Sequence, residues 1–479
     1  MEKLWFPPLQ EEDPLITEKI KYSIAFLFSL MLVGLALHFN TLEEIWQGSL
    51  KILISPANLV TDYFKLANVG AAFINAALMI IKSLFIIRST KVSLSGPLFA
   101  AIFTIAGFSL FGKNLFNSIP IIVGVLLYAK LTRTPFKNYL LSALYGTALG
   151  PLVSEVAFNS GFSFFTGIFL GCTAGVIVGL ILPPLSRHFA SFHKGFSLYN
   201  IGFTAGIIGM AFIAFFRAYG IEVDTVYLVS NGYNQPLSIY LYSLFILLFS
   251  GGIYLNGGSF SGYSNFLNED GRGGPDFMER HGLGLTLLNM ALLGVLTTTF
   301  VLIVRGELNG PVIGGIFTVV GFGAFGKHVK NVFPILLGVL LVGWLTSTEL
   351  SSTSFLLTAL FGTTLAPVSG HYGVIAGILA GSLHMVIVTN ISYLHAGMNL
   401  YNNGFSGGFT AAIIVPLLEV VFFHKNNRKN KELIKPIINT EPVEDLEKTK
   451  NSPEWYNENN NFLFIIFQDK ALYQKVFPI

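Results

Sequence analysis

The sequence predicts an all-α, polytopic transmembrane protein built from two inverted repeats of about seven apolar segments each. The first observation is composition, because 52% of the 479 residues are hydrophobic and only 11% are charged, against roughly 25% charged residues in an ordinary soluble domain. The second is an internal duplication, and the third is a difference in charge between equivalent loops of the two copies. Together they predict a chain that crosses a lipid bilayer many times.

The duplication can be followed residue by residue through the middle of each copy. Residues 75–120 align with residues 289–334 at one constant spacing (289 − 75 = 214 and 334 − 120 = 214). Gly-Pro and Phe-Gly-Lys motifs recur within this stretch, and both lie in strongly apolar sequence. Chance does not maintain a register of this length, so the two halves are copies of one unit.

Two further motifs recur at other spacings. A Gly-Thr-x-Leu-x-Pro motif occupies Gly146–Pro151 and Gly362–Pro367, and a Leu-Tyr-Asn-x-Gly-Phe motif occupies Leu198–Phe203 and Leu400–Phe405. Small insertions between the motifs explain the change in spacing. The duplication therefore extends through nearly the whole apolar part of the chain.

Apolar segments of the length needed to cross hydrocarbon, about 20 residues, recur in the same order in each half. In the first half they begin near Tyr22, Gly70, Gly96, Asn117, Tyr139, Gly161 and Gly195, and in the second near Leu237, Gly282, Gly310, Asn331, Phe355, Gly373 and Gly397. Several are short or contain Gly and Pro, which indicates broken or re-entrant helices.

The predicted organisation has five parts. The first transmembrane repeat covers residues 21–219 and the second covers residues 237–424. A cytoplasmic N-terminus (1–20) precedes them, an extracytoplasmic linker (220–236) joins them, and a polar cytoplasmic tail (425–479) follows.

Loop charges predict how the halves face the membrane, since Lys and Arg near span ends are enriched on the cytoplasmic side. The loop Lys130–Lys137 carries three basic residues, whereas its equivalent Thr346–Thr353 carries none and includes Glu349. Equivalent loops on opposite sides require inverted repeats. The same rule places both termini in the cytoplasm of a multi-pass protein of the cell (plasma) membrane.

Inverted repeats with broken helices are typical of transporters, whose substrate sites lie near the bilayer midplane between the repeats. Non-helical backbone is tolerated at that depth only where protein or a water-lined cavity covers it. The sequence therefore predicts an integral membrane transporter or channel for a small polar solute or anion, with the path between the repeats. A non-transporting scaffold or sensor and an intramembrane enzyme are the alternatives.

The Leu-Tyr-Asn-x-Gly-Phe motif is the first candidate for the substrate site. An asparagine amide offers two donors and an acceptor, and leaving an amide unpaired in hydrocarbon costs a few kcal/mol. We expect Asn200 and Asn402 to face one another across a central cavity, flanked by Phe203 and Phe405. The substrate-binding candidates are Tyr199, Asn200, Gly202, Phe203, Tyr401, Asn402, Gly404 and Phe405.

A structural interpretation of the same motif stays open. Gly202 and Gly404 begin small-xxx-small patterns suited to close helix packing. On this interpretation the role of the asparagines is to complete the hydrogen bonding at a broken helix end. In that case the path follows Gly146–Pro151 and Gly362–Pro367 instead.

A second group of repeated residues is assigned to the pathway or to coupling. A histidine can carry a proton near physiological pH, or it can simply mark a helix entry. A lysine can attract an anion into a vestibule beside a phenylalanine constriction, or extend its charge to the membrane surface. These candidates are Phe111, Lys113, His193, Phe325, Lys327 and His395.

Other functional classes lack sequence support. No HExxH, GxSxG or Walker-type loop lies on an apolar segment, so we expect neither an enzyme nor a metal or cofactor site. The one cysteine, Cys172, excludes a disulfide framework within the chain. The net charge of +3 is spread over loops and tail, which argues against nucleic-acid binding. The expected partners are the lipid bilayer and a small-molecule substrate, with a homo-oligomer left open.

At its Gly-Pro, Phe-Gly-Lys and Leu-Tyr-Asn-x-Gly-Phe copies the chain resembles an uncharacterised family of duplicated bacterial and archaeal multipass membrane proteins, a domain of unknown function present in two copies. The resemblance covers the apolar part from about Tyr22 to Phe423 and implies the duplicated architecture without a substrate. A looser resemblance is to urea channels, which are also two inverted halves and assemble as trimers. Their Leu-Pro-Phe signature is absent from both halves here, so neither urea nor trimers are carried over.

Overall fold

The computed structural model describes residues 14–57, 60–223 and 226–433, and side chains as far as residue 421. Within these residues the chain is 76% helical, with almost no strand. The first half contains α1 (Pro14–Phe39), α2 (Leu42–Ile54), β1 (Val60–Thr61), α3 (Tyr63–Leu66), α4 (Val69–Ser89), α5 (Gly96–Phe108), α6 (Leu115–Leu131), a 3₁₀ turn (Phe136–Tyr139), α7 (Leu140–Gly146), a 3₁₀ turn (Thr147–Leu149), α8 (Gly150–Phe158), α9 (Phe164–Phe189) and α10 (Asn200–Ala218).

The second half repeats this order. It contains β2 (Tyr227–Leu228), α11 (Asn234–Leu255), α12 (Tyr263–Phe266), α13 (Phe277–Ile303), α14 (Gly310–Phe322), α15 (Val329–Leu345), α16 (Thr353–Gly362), a 3₁₀ turn (Thr363–Leu365), α17 (Ala366–Tyr372), α18 (Val374–His395) and α19 (Asn402–Leu433). Helix α13 unites the equivalents of α3 and α4, and the positive φ of 81° at Gly282 marks the break between them.

Ten helical stretches in the described part of the chain are long and apolar enough to cross a membrane. Two of these are the broken units α7–α8 and α16–α17, and four shorter apolar helices (α5, α6, α14 and α15) accompany them. Seven helical segments per half therefore match the seven predicted apolar segments. The prediction of an all-α polytopic membrane protein is confirmed.

The two halves meet along α5 and α14, which are equivalent helices and run antiparallel. A Cβ placed on Gly107 would lie 2.6 Å from the carbonyl oxygen of Gly314, and one on Gly314 would lie 2.7 Å from that of Gly107. At the helix ends the N-terminus of each helix adjoins the C-terminus of the other, with Gly96 beside Ala324 and Gly310 beside Leu110. Equivalent helices that run in opposite directions are what inverted repeats require.

Each of these helices is capped by an aspartate from the opposite half. Asp276 accepts a hydrogen bond from the Gly96 N–H at 3.0 Å, and Asp62 accepts one from the Gly310 N–H at 3.2 Å. The two aspartates are equivalent in the repeat (276 − 62 = 214). The free N–H groups of a helix N-terminus and its dipole favour a carboxylate there, so the caps hold the halves in register.

The predicted linker 220–236 contains a short strand. β2 pairs in parallel with β1 of the first half, with Val60 opposite Tyr227 and Thr61 opposite Leu228. Helix α1 begins at Pro14, inside the predicted N-terminal segment 1–20, and α11 begins at Asn234, before the predicted start of the second repeat. Most of the predicted tail 425–479 lies outside the described residues.

We predict that Gly107→Ala destabilises the protein by about 1–3 kcal/mol, because the new methyl group meets backbone atoms of Gly314 that cannot give way. The measurement is the thermal unfolding midpoint of purified protein in lipid nanodiscs. Gly251→Ala is the matched control, since no atom lies within 4 Å of a Cβ at that position in α11 and alanine favours the helix by up to about 1 kcal/mol. Equal midpoints for the two variants would contradict the antiparallel contact.

We predict that Asp276→Ala lowers the unfolding free energy by about 1–3 kcal/mol, because it unpairs the N–H groups of Gly96, Met278 and Glu279. The measurement is again the thermal unfolding midpoint of purified protein in lipid nanodiscs. Ser95→Ala is the control, because Ser95 occupies the N-cap position of α5 but its side chain makes no capping hydrogen bond. A larger loss in Ser95→Ala would show that α5 is capped from its own half.

Candidate functional site

A broken helix in each half brings irregular backbone into the protein interior. The 3₁₀ turn Thr147–Leu149 separates α7 from α8, and the turn Thr363–Leu365 separates α16 from α17. Pro151 and Pro367 follow in the first turn of the next helix, where the missing N–H costs little. The breaks predicted at Gly146–Pro151 and Gly362–Pro367 are therefore present.

The backbone exposed by each break is paired with the opposite half. The Leu400 N–H donates to the carbonyl oxygen of Ala148, and the Leu198 N–H donates to that of Thr364, each at 3.1 Å. Both hydrogen bonds join a break to a Leu-Tyr-Asn-x-Gly-Phe motif. The two repeated motifs thus form one interior site between the halves.

The repeated glycines of this motif allow close approach between the halves. A Cβ on Gly202 would lie 2.7 Å from the Cβ of Tyr401, and one on Gly404 would lie 3.0 Å from the Cβ of Tyr199. One turn further along, Phe405 packs on Gly206 and Phe203 packs on Gly408. The glycines and phenylalanines of the motif therefore form the contact between α10 and α19.

Four aromatic rings close the centre of this interface. The ring centroids of Tyr199 and Tyr401 are 5.2 Å apart, Tyr199 lies 4.7 Å from Phe322, and Tyr401 lies 4.6 Å from Phe108. All four side chains are buried. We call Phe108, Tyr199, Phe322 and Tyr401 the aromatic barrier.

Two buried lysines lie beside the barrier. Lys327 donates from Nζ to the Tyr199 hydroxyl at 2.6 Å and to Oγ1 of Thr363 at 2.7 Å, and it is fully buried. Lys113, its equivalent, is 1% exposed, with Nζ 5.3 Å from the Phe108 ring centroid. The interpretation of these lysines as span-end residues that extend to the membrane surface is wrong, because both ammonium groups point into the protein.

Asparagines of the preceding helices fix the lysine backbone. Asn289 donates to the carbonyl oxygens of Gly323 and Lys327, each at 2.7 Å. In the first half Asn75 makes the equivalent bonds to Ser109 at 2.7 Å and Lys113 at 2.8 Å. Both halves therefore position their lysine in the same way.

A first cavity of about 300 Å³ reaches the aromatic barrier from one end. Its wall includes Tyr199, Phe322 and Tyr401 from the barrier, together with His193 and Phe325. Asn200 and Gly202, two further predicted site residues, line it as well. Several of the sequence candidates are thus brought together on one surface.

A second cavity of about 290 Å³ is the counterpart of the first in the duplication. Six positions of the two linings are equivalent, namely Leu141 and Leu357, Tyr145 and Phe361, Ala190 and Ser392, Leu198 and Leu400, Asn200 and Asn402, and Ile201 and Asn403. Because equivalent elements of the halves point in opposite directions, the cavities lie toward opposite ends. Neither tyrosine of the barrier lines the second cavity, whose wall includes Phe361, the equivalent of Tyr145.

Each predicted asparagine is paired with the predicted histidine of its own half. The Asn200 Oδ1 lies 3.1 Å from Nε2 of His193, and the Asn402 Oδ1 lies 2.8 Å from Nε2 of His395. The amide nitrogens donate to the Ser186 carbonyl oxygen and the Ser392 hydroxyl, at 2.9 Å and 2.8 Å. Both histidines are buried, and burial lowers the pKa of His193, which lies between two helices, so that its imidazole is neutral at physiological pH.

The expectation that Asn200 and Asn402 face one another across one central cavity is corrected by this geometry. Each amide lines a different cavity, and the residues that meet between the halves are the neighbouring tyrosines. Phe203, Gly404 and Phe405 line neither cavity and belong to the helix contact. Phe111 likewise packs on Gly314, whereas its equivalent Phe325 lines the first cavity.

Sequence reasoning missed several residues that build the site. The cross-half caps Asp62 and Asp276 and the anchoring Asn75 and Asn289 all keep the 214-residue spacing. Polar residues repeated in register within apolar sequence were the available signal. His384, which is bonded to Asn403 at 2.9 Å, has no such repeat.

The fold defines the chain as a duplicated, polytopic α-helical membrane protein. A family model described as a protein of unknown function (DUF1576) matches residues 41–218 and again residues 255–420. The chain belongs to this family, and the double match agrees with the predicted duplicated domain of unknown function. No curated protein and no solved structure matches the chain.

We predict that Asn200→Leu lowers the unfolding free energy by about 2–4 kcal/mol, because it leaves both the His193 Nε2–H and the Ser186 carbonyl oxygen buried and unpaired. Thermal midpoints of Asn200→Leu, His193→Leu and the double variant give the coupling. The double variant is expected to lose less than the two single losses combined. Asn390→Leu, at an exposed amide on α18, is the control with a small effect, and strict additivity at 193 and 200 would contradict the pairing.

Proposed function

We propose that the protein is an integral membrane transporter or channel for a small polar solute or anion, with the path between its two repeats. The observation that supports this most directly is the pair of equivalent cavities. The first is lined by three residues of the aromatic barrier, and the second is lined by Phe361, whose ring packs on Phe108 and Tyr199 of the barrier. A protein that only needed to pack its helices would not require two matched cavities. A path across the membrane does require access from both sides.

The dimensions suit a small solute. Each cavity, at about 300 Å³ and 290 Å³, lies at the lower end of the volumes found for small-molecule sites. The barrier closes the path between them, so passage requires movement of Tyr199 and Tyr401. The lining of the first cavity includes both tyrosines, whereas that of the second includes Phe361 and neither tyrosine. This asymmetry supports a gated path that is open toward one side.

The candidate residues divide between the path and its support. We assign contact with solute to Tyr199, Asn200, Gly202 and Tyr401 in the first cavity and to Asn402 in the second. His193 and His395 orient the two asparagines. Phe203, Phe405 and Gly404 support the path by holding α10 against α19.

The loop charges supply the proposed orientation. The first cavity lies near the C-terminal end of α9 and contains Ala190, close in sequence to the basic residues Arg187 and Lys194. Because such residues are enriched on the cytoplasmic side, we propose that this cavity opens toward the cytoplasm of a plasma-membrane protein. The second cavity, which contains Thr348 and Ser352, then opens toward the exterior.

We also infer that the chain is not an enzyme. Of the residues considered for intramembrane catalysis, His371 is bonded to Asp270 at 3.0 Å and His384 to Asn403 at 2.9 Å. The side-chain amide of Asn159 donates a hydrogen bond to the carboxylate of Glu155. Each group thus has a separate local partner, and a scaffold or sensor role would not call for the paired cavities.

We predict that Ala190→Trp and Ser392→Trp each reduce flux by at least tenfold, because each places an indole in one of the two equivalent cavities. The measurement is shrinkage and reswelling of proteoliposomes, followed by light scattering, after mixing with urea, glycerol or sodium formate. Ala214→Trp is the control, since this alanine is exposed on α10. A block by only one of the two cavity variants would show that the other cavity is not on the path, and no flux of any solute in the parent protein would overturn the function.

A further inference from the structure

The Nζ of Lys327 is buried and is held by two neutral groups. Its ammonium donates to the Tyr199 hydroxyl and to the Thr363 hydroxyl, and within the described residues no carboxylate lies within 4.0 Å of it. A charge in the hydrophobic interior of a membrane protein is costly and is normally paired or part of a solute path. The hydroxyls satisfy the geometry of the ammonium but do not neutralise its charge.

Lys327 keeps one unused hydrogen-bond donor. A lysine ammonium has three N–H donors, of which two are used. The Tyr199 hydroxyl is also hydrogen-bonded to Thr363, and Thr363 donates its own proton to the Leu360 carbonyl oxygen. An ammonium with a free N–H donor is complementary to an anion.

The Asn200 amide in the wall of the first cavity already has partners within the protein. Its oxygen is bonded to His193 and its nitrogen to Ser186. The amide is thus held in place, whereas Lys327 keeps one N–H donor unused.

Two rings stand between Lys327 and the first cavity. Its Nζ lies 4.5 Å from the Tyr199 ring centroid and 5.1 Å from that of Phe322, and both rings line the cavity. Rotation of Tyr199 away from Lys327 would break the 2.6 Å hydrogen bond and bring the ammonium to the cavity wall. We call this hydrogen bond between Lys327 and Tyr199 the latch, because it holds Tyr199 in the aromatic barrier.

The equivalent latch is not made in the first half. The buried Tyr401 hydroxyl makes no hydrogen bond to Lys113, and its polar neighbour is Thr104. Its ring packs on Phe108, the same ring that Lys113 approaches. One sequence motif therefore occurs once with the Lys–Tyr bond and once without it. The two halves show that the tyrosine can occupy its place with the bond broken.

We propose that the solute is a small anion that competes with the Tyr199 hydroxyl for Lys327, so that anion binding releases the latch and opens the barrier. This rests on the proposed transport function and names the substrate class at its centre. The released tyrosine can donate its phenol proton to the same anion.

Binding of formate and nitrate to the purified full chain in nanodiscs tests the latch. The apparent affinities of formate and nitrate are read from the shift in the thermal unfolding midpoint as the anion concentration is raised in gluconate buffer. Urea and glycerol serve as neutral comparisons. Tyr199→Phe removes the competing hydroxyl and is expected to tighten anion binding about tenfold. Lys327→Met is expected to abolish the shift and Lys327→Arg to retain part of it.

Two controls match these changes. Tyr240→Phe removes a buried hydroxyl that has no hydrogen-bond partner among the described residues, and Lys65→Met removes an exposed lysine. Both are expected to leave the anion shift unchanged. An unchanged or weakened affinity in Tyr199→Phe would overturn the latch, and this variant decides the question if Lys327→Met does not fold. An anion shift that persists in Lys327→Met would overturn the site.

Flux separates this inference from the function on which it rests. Passage of urea or glycerol without anion binding would overturn the anion latch and leave transport in place. Anion binding with the expected pattern of variants but no flux would overturn transport and leave the anion site. Formate flux that is lost in Lys327→Met and retained in Lys65→Met supports both.

Discussion

The close antiparallel contact between α5 and α14 is the constraint on which the rest of the structure depends. Only glycine at positions 107 and 314 lets the two backbones approach this closely. The contact brings the C-terminal end of each helix to the N-terminal end of the other, where Asp62 and Asp276 complete the caps. It also fixes the direction of the pseudo-twofold axis, and hence the placement of the two cavities toward opposite ends.

The interface between the halves is also where the protein tolerates polar groups in an apolar environment. An unpaired N–H or C=O in hydrocarbon costs several kcal/mol, so a broken helix is stable only where another element satisfies it. Here Leu198 and Leu400 satisfy the breaks of the opposite half. A path for a polar solute can be built at such an interface because its backbone is already paired and its walls are protein on both sides.

The lysines show how polar groups are held at the same interface. Asn289 and Asn75 hold the lysine backbones by equivalent bonds, and both lysine side chains are buried beside the aromatic barrier. Of the two, Lys327 is bonded to the tyrosine of the opposite half. The duplication therefore provides two copies of one arrangement that differ in this bond.

Much of the fold could be predicted from the sequence because hydrophobic length and internal repetition are local signals. The seven segments per half, the breaks before Pro151 and Pro367, and the duplication all follow from them. The partners of the repeated polar residues could not be predicted. Whether Asn200 meets Asn402 or His193 depends on helix rotation, and the sequence pattern gives the same periodicity for either arrangement.

The capping aspartates were missed for a related reason. Asp62 lies in a loop, where a carboxylate is ordinarily solvated. It can accept the hydrogen bond from the Gly310 N–H only when the two halves are packed together. A lysine that follows an apolar segment can extend its charge to the membrane surface, so the span-end interpretation stood beside the assignment to the pathway. The structure buries both lysines because the turns that carry them, between α5 and α6 and between α14 and α15, lie inside the protein.

The most direct test of the account is the side from which the two equivalent cavities are reached. Replacing the one cysteine, Cys172, by Ser gives a background for Ala190→Cys and for Ser392→Cys, positions that are equivalent in the duplication and line different cavities. A membrane-impermeant maleimide is added to intact cells or to inverted vesicles. The account predicts that position 190 reacts only in inverted vesicles and position 392 only in intact cells, whereas reaction of both from the same side would contradict the inverted arrangement of cavities.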